Sequence, residues 1–541
     1  MTDAVVIGAG HNGLIAAIMV AKAGWDVTVF ERNDYAGGAV RTAEVTLPGF
    51  RHDVYAANLS LIMGSGFMQR HGGELLRRGF EPVQSARPYA SVFPDGTFIG
   101  VSTNREQTDA SIAAVCPQDL ESWGELTGFF ASVAPALFGV FGSAIRSRGL
   151  VEALWHERSV LRREWPELLR LLLQSPREFV EERFTDKKMQ ALCATWGMHL
   201  DFPPDVPGGA VFAFMETFAS ARNGMVLGKG GSQSLTDALV SLLLSLGGKV
   251  ELSSPVRRVL VEEGRAVGVQ LESGEVHRTK RAVIGNVTPR VLFSTLVPPD
   301  SLDRDFHRSV RRYRYGPGTM MIHLAVDDLP DWAAGRALRE YSYVHIAPYL
   351  NDNSLCYAQA VAGMLPIHPT IVVGQPTAVD ASRAPQGKHT LWIQVRVVPG
   401  KVLGDAAGEI ASTDWDEVKE LYADRVLGLI EGYAPSFREH IMSRMVISPA
   451  DLERDNPNLV GGDHLAGSHH PFQNFLMRPF PRWSNYRTPI EALYMCGAAT
   501  WPGAGVNGGS GYMLGRKLVD RFSERRLPAS LRDQLRKSVG G

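Results

Sequence analysis

The chain has 541 residues, more than one compact core holds, so two or three domains are expected. Its apolar fraction of 45% and charged fraction of 21% are those of a globular protein, and a net charge of −1 supplies no general attraction for nucleic acid. The four cysteines (Cys116, Cys193, Cys356, Cys496) form no C-x-x-C pair, which argues against a disulfide framework, a zinc site or a redox dithiol and fits a reducing compartment.

The first predicted unit is strand, turn, helix, strand. "AVVIGAG" is a β-branched strand ending in glycine, "HNGLIAAIMVAKAG" an apolar helix closed by Gly24, and "WDVTVFER" a second strand ending at Glu31. This is the context that G-x-G-x-x-G needs for dinucleotide binding. Gly8 would make the tight turn, Gly10 would admit a pyrophosphate against the backbone, and Gly13 would let the helix lie on the strand. The helix N-terminus offers free N–H groups to phosphate, and Glu31 stands where a ribose hydroxyl is held. A second glycine pair, Gly37 and Gly38, followed by Arg41, lets the chain run along a longer cofactor, which favours FAD over NAD. With the fingerprint starting at Gly8, no leader is expected before it, and the expected location is the cytoplasm.

Leu126–Ile145 carries no charge over a spanning length. Gly128, Pro135, Gly139 and Gly142 interrupt it, which favours a buried or ligand-lining helix over a dip into a membrane surface, and both over a true span. His199 and Asp201, in "WGMHLDFPP", suit a local turn as well as a substrate contact.

From Gly228 to Asn286 the pattern reads loop, amphipathic helix, strand, a hairpin with Glu-Gly and Ser-Gly turns, then a returning strand. This predicts an α/β fold with a discontinuous Rossmann-like FAD-binding domain (1–85, 225–300, 451–541) and an inserted mixed α+β substrate domain (86–224, 301–450). His323 lies in a strand-like run, "GTMMIHLAV", facing substrate or core, and is a candidate catalytic residue. His464, His469 and His470 fall in an apparent surface loop; no recognisable ligand pattern completes a metal site.

"PGAGVNGGSG", at Pro502–Gly511, repeats the glycine spacing. Its strand ends near Gly497, several residues too early, and no acid closes a following strand, so a second dinucleotide site is not expected. A glycine-rich loop feeding a helix N-terminus toward a flavin fits better, with Asn507 as N-cap and Trp501 as a candidate aromatic wall and catalytic residue. Arg516–Lys537 reads as a basic closing helix.

The stretches "GGSQSLTDAL", "NVTPRVLF", "PTAVDASRAPQGKHTL" and "RPFPRWSNYRTPIEALYMCGAATWPGAGV", with the first fingerprint, resemble the phytoene desaturase and carotenoid isomerase superfamily of FAD-dependent oxidoreductases. The likeness is greatest to the pyridine nucleotide-disulfide oxidoreductase domain-containing protein 2 branch and covers nearly the whole chain. It implies one FAD lined by Gly8, Gly10, Gly13, Glu31, Arg32, Gly38 and Arg41, with Val256 bracketing the adenine, and Gly497, Gly505, Val506 and Asn507 beside the flavin. It also implies dehydrogenation of a largely apolar substrate, with oxygen or a quinone taking the electrons and peripheral membrane contact allowed. A flavin amine or alcohol oxidase, a flavin-dependent double-bond isomerase and a non-enzymatic flavoprotein remain the alternatives. Met321, Ile322 and His323 depart from a Lys-Ile-Asn common in the superfamily. Trp501–Gly505 likewise departs from its His-Pro-Gly-Gly-Gly.

Overall fold

The structure, a computed structural model, describes residues 1–145 and 147–524. Strand Thr2–Ile7 pairs in parallel with Val27–Phe30 on one side and with Val276–Gly285 on the other. Lys249–Glu251 extends the sheet beyond Val27–Phe30, and Leu493–Met495 also joins Val276–Gly285, both in parallel. The hairpin Val256–Glu262 and Arg265–Leu271 continues the sheet antiparallel. Parallel strands covered on both faces read as continuous apolar runs. Ala4 and Val6 accordingly enter one core, and Val5 and Ile7 the other. Helices His11–Lys22, Gln233–Ser245 and Gly509–Glu524 cover the first of these faces. This is the expected α/β, Rossmann-like arrangement, assembled from stretches far apart in the chain.

A second sheet runs in the order Ile441–Ile447, Gly318–Val326, His389–Val398, Thr370–Gly374, Tyr343–Ile346, Tyr89–Val92, Phe98–Val101. Its two faces differ, because strand side chains alternate. Ile322, Leu324, Ile371, Val373, Ile393 and Val395 meet helix Trp415–Glu431 in an aliphatic core. The opposite face carries Tyr89, His345, Tyr343, Trp392, Gln394, Arg396, Thr319 and His323, as cross-strand registers place them. It is covered by helices Leu120–Phe141, Lys187–Met198 and Ala210–Asn223. Every residue of Gly318–Val326 is buried, which is why its pattern did not reveal the direction of His323.

Helix Leu120–Phe141 ends four residues before Ile145. Together with the turn before it, it is long and apolar enough to cross a membrane by length and composition. One face (Trp123, Leu126, Phe130, Val133, Ala134) is nevertheless built into the core, while Phe138 is exposed. Residues 525–537 of the expected basic helix lie outside the described residues.

Candidate active site

The turn after the first strand is fastened by backbone bonds: Gly8 N donates to Phe30 O at 2.8 Å, and Gly37 N to Ala9 O at 3.0 Å. Gly8 has φ +94°, which only glycine adopts freely. A Cβ on Gly13 would stand 2.5 Å from Gly8 O, so the helix can lie this close only without a side chain there. The second glycine pair lies against the first, with Gly38 (φ +58°) directed at the Gly10 Cα. Helix His11–Lys22 starts at Gly10 with no side-chain cap and no acid in its first turn. Its leading N–H groups therefore stay available to an anion.

Glu31 is buried and holds the turn as well as ending its strand: Oε2 accepts from Ala9 N (2.8 Å) and Oε1 from Asn33 N (3.0 Å). A carboxylate has about four acceptor positions, so both oxygens keep capacity for a ribose hydroxyl. Burial raises its pKa from the usual value. Val256 begins strand Val256–Glu262, two residues after Ser254, whose N donates to Glu31 O at 2.7 Å. Arg32 is exposed. Arg41 stacks over Tyr35 (3.9 Å) and faces Asp455 (3.7 Å). Asp455 also accepts from Tyr35 Oη at 2.7 Å and from Tyr55 Oη. This junction, with Asp455 more than 400 residues downstream of Tyr35, had no sequence signal.

Asn286 joins the two glycine-rich loops. Its Nδ2 donates to Gly8 O (3.2 Å) and Gly10 O (3.4 Å), and a Cβ on Gly497 (φ +105°) would fall 2.9 Å from its Oδ1. The resemblance-bearing stretch "NVTPRVLF" begins with this residue, though its role was not foreseen.

The later glycines divide between turns and helix packing. Gly503 and Gly505 have φ of +109° and +89° in the loop, beside buried Val506. Gly511 and Gly515 lie along helix His11–Lys22: a Cβ on Gly511 would be 2.0 Å from Asn12 O, and one on Gly515 2.4 Å from Met19 Cβ. Gly511 N donates to Asn12 Oδ1 at 3.1 Å. The two helices thus run parallel with their N-termini side by side. The helix begins at Gly509, two residues after the expected cap; Asn507 Oδ1 accepts from Gly509 N (2.8 Å), and its Nδ2 donates to Ala504 O (3.0 Å). Asn507 therefore caps from outside the helix and also ties the loop.

Trp501 is buried, its ring stacked on Phe141 (5.2 Å, 14°) and tilted against Phe475, its N–H donated to Ser143 O at 2.8 Å. Protein rings thus occupy the surroundings expected for a wall facing solvent or ligand. His323 Nε2 donates to Val54 O at 3.1 Å, while Nδ1 has no partner among the described residues. Burial lowers its pKa to about 4, so the ring is neutral. Trp392, opposite it on the next strand, donates to Tyr55 O at 3.0 Å. These two bonds bring the mixed face of the second sheet onto residues 52–55, which follow the second glycine pair.

The expected surface loop of histidines is mostly interior: His469 is buried and His464 and His470 are half-buried. His469 Nε2 accepts from Ala504 N (3.0 Å), and burial holds its pKa well below the usual value, which keeps that nitrogen an acceptor. His470 binds Asp201 O at 2.6 Å. The loop tolerates burial because Arg478, itself buried, donates to the carbonyls of Leu465, Gly467, Ser468 and Ala498. Among the described residues no group of three or more His, Cys, Asp or Glu is placed to hold a metal.

The family described as flavin containing amine oxidoreductase matches residues 13–509. The mouse protein called pyridine nucleotide-disulfide oxidoreductase domain-containing protein 2 is 29% identical over 94% of this chain and 92% of its own. A phytoene desaturase of Fusarium fujikuroi is 25% identical over 93% of this chain and 86% of its own. In fold, the chain is similar to cyclohexylamine oxidase from Brevibacterium oxydans, with a TM-score of 0.57, 15% identity, and coverage of 96% and 99%. FAD is the cofactor of such a chain, and the first helix's uncapped N-terminus, the side-chain-free approach at Gly10 and the remaining acceptor capacity of Glu31 all fit it. The chain is an FAD-dependent oxidoreductase and belongs to the flavin containing amine oxidoreductase family.

Proposed function

We propose that the protein dehydrogenates a largely apolar small molecule at a carbon–carbon bond, passing the electrons to oxygen or a quinone. The observation that carries this reading is the contact of the second sheet's mixed face with residues 52–55, through His323 and Trp392, beneath an aromatic-rich core. Phytoene desaturases among the relatives support the apolar substrate. In this reading Gly8, Gly10, Gly13, Gly38 and the two adjacent helix N-termini cradle the pyrophosphate, Glu31 and Val256 hold the adenosine half, and Arg41, Gly497, Gly505, Val506 and Asn507 flank the flavin half. When bound, FAD would supply the two-electron acceptor for the hydrogen removed from the substrate. The chain's part is to bind, orient and exclude water; the buried neutral His323 fixes Val54 rather than carrying charge to the substrate.

We also assign the protein a cytoplasmic location with reversible membrane contact. Its support is the exposed apolar side chains of helices Arg148–His156 and Arg158–Leu173, among them Trp155 (64% exposed) and Trp165 (59%). The deciding experiment is anaerobic mixing of the purified holoenzyme with polyenes, amines and alcohols while the flavin's visible absorbance is followed. Bleaching by polyenes alone supports the reading; bleaching by amines or alcohols instead overturns it.

A further inference from the structure

Arg396 is a buried cation that forms no ion pair among the described residues. It is 7% exposed, and no carboxylate lies within ion-pair distance among the described residues. Its Nη1 is committed, to His199 O (3.2 Å) and His464 Nε2 (3.1 Å). Nε has no partner, and no hydrogen bond from Nη2 is formed to a described residue. Nε and Nη2 are the two parallel donors of the guanidinium's side edge, the geometry that matches a planar two-oxygen acceptor. Around it His199 Nε2, both ring nitrogens of His345, His464 Nδ1, Gln394 Oε1 and Thr319 Oγ1 are also buried without partners among the described residues. Protein interiors seldom leave one such atom unsatisfied. Here they gather at one face of one sheet, His199 and His464 reaching it from the helix end and the loop that lie against it.

We propose that Arg396 binds the carboxylate of an otherwise apolar substrate through Nε and Nη2, with His199, His345 and His464 as neutral hydrogen-bonding neighbours. This rests on the reading of the flavin site above and names its substrate class. Charge selects the carboxylate over a phosphate. Burial lowers the pKa values of His345 and His464 to about 3 and that of His199 well below normal, so Arg396 alone is cationic, its own pKa held near about 9. One cation balances one monoanion. Glu216, the acid whose field reaches Arg396, makes no hydrogen bond to it, and burial raises its pKa to about 7. Tyr343 and the rings of Tyr89 and Trp196 complete a largely aromatic setting. Trp392 and Arg396 share the strand and the face. At about 3.4 Å per residue, the anchor lies roughly 14 Å along the strand from Trp392, which meets Tyr55.

The test titrates FAD-loaded enzyme with three probes, a long-chain polyunsaturated fatty acid, its methyl ester and the parent hydrocarbon, reading binding from the flavin spectrum. The acid should bind the wild type about 100-fold more tightly than the ester, the range of a charge-assisted bidentate contact. Arg396→Met should abolish that preference, and Arg396→Lys should restore part of it. Equal binding of acid and ester by the wild type, which needs no variant to fold, overturns the proposal. So does a preference that survives in Arg396→Met. Arg396-dependent binding of the acid without flavin bleaching by any polyene upholds the anion site and sinks the desaturase reading instead.

Discussion

Arg383 donates to Asp53 at 2.6 Å, both side chains are buried, and the two stand 330 positions apart in the chain. Arg383 also bonds Asp380 (3.3 Å) and Gly228 O (2.7 Å), while Asp53 accepts from Thr42 Oγ1 and Ser232 N, each at 2.7 Å. Asp380 in turn accepts from Gly230 N at 2.6 Å. The stretch "PTAVDASRAPQGKHTL" is therefore a clamp that fixes "GKGGSQS" and the segment leaving the second glycine pair. Breaking a buried pair leaves one charge uncompensated and costs about 3–5 kcal/mol. Arg383→Met should lose that much in denaturant unfolding and release FAD more readily. The double variant Arg383→Met with Asp53→Asn should recover part of the loss, and strictly additive losses would show that the two residues are not coupled.

What the sequence disclosed and what it hid follow from distance along the chain. The first fingerprint was legible because its turn, helix and strand are local and each glycine has a local reason. The later match, Gly503-x-Gly505-x-x-Gly508, was read from the early end of its strand as a loop feeding a helix, and a helix does begin at Gly509. That Gly511 and Gly515 serve a helix pairing was not legible, because the partner is helix His11–Lys22. Asp455, Asn286 and Arg383 act through side chains that meet across hundreds of residues. The histidines of 464–470 looked like loop because polarity suggested solvent, and only Arg478's satisfaction of the loop carbonyls makes their burial affordable.

The close approach at Gly511 gives a sharp test. A methyl group there would sit 2.0 Å from a backbone carbonyl, so the paired helices must separate and both N-termini must shift. Overpacking of this kind costs about 1–3 kcal/mol. Gly511→Ala should lower the melting temperature and the bound FAD together. Gly149→Ala, in the exposed helix Arg148–His156 with no clash within 3.4 Å, should be neutral or slightly stabilising. Full FAD content in Gly511→Ala would remove that helix pairing from the cofactor site.

Membrane contact should depend on the exposed helices rather than on the long apolar one. Trp155→Glu with Trp165→Glu is expected to abolish flotation with liposomes while leaving FAD content unchanged. Phe138→Glu, at a residue 40% exposed on a helix whose other face is core, should matter less. Loss of flotation confined to Phe138→Glu would reassign the contact.

The last expectation concerns acid. Burial holds His11 and His323 near about 4, His345 and His464 near about 3, and His199 and His469 well below normal. In the unfolded chain each titrates near the ordinary histidine value of 6.5. Below that pH the unfolded state binds more protons than the folded one, so stability falls as pH falls, by about 1.4 kcal/mol per unit for each fully effective group. Raised carboxyls act in the opposite sense: Glu216 at about 7 and Asp463 at about 6, with Glu31 and Asp201 also shifted up, retain protons in the folded state and favour it in acid. They are fewer than the histidines, so the net slope between about pH 6.5 and 4.5 keeps the histidine sign. Denaturant unfolding of the holoenzyme across that range should show a steep decline, with acid unfolding complete before the ordinary carboxylates protonate. The variant His345→Gln, which keeps a polar side chain but cannot take up the proton, should flatten the decline by about one proton's worth. A flat profile in the wild type would mean that these rings are charged or hydrated in the folded protein.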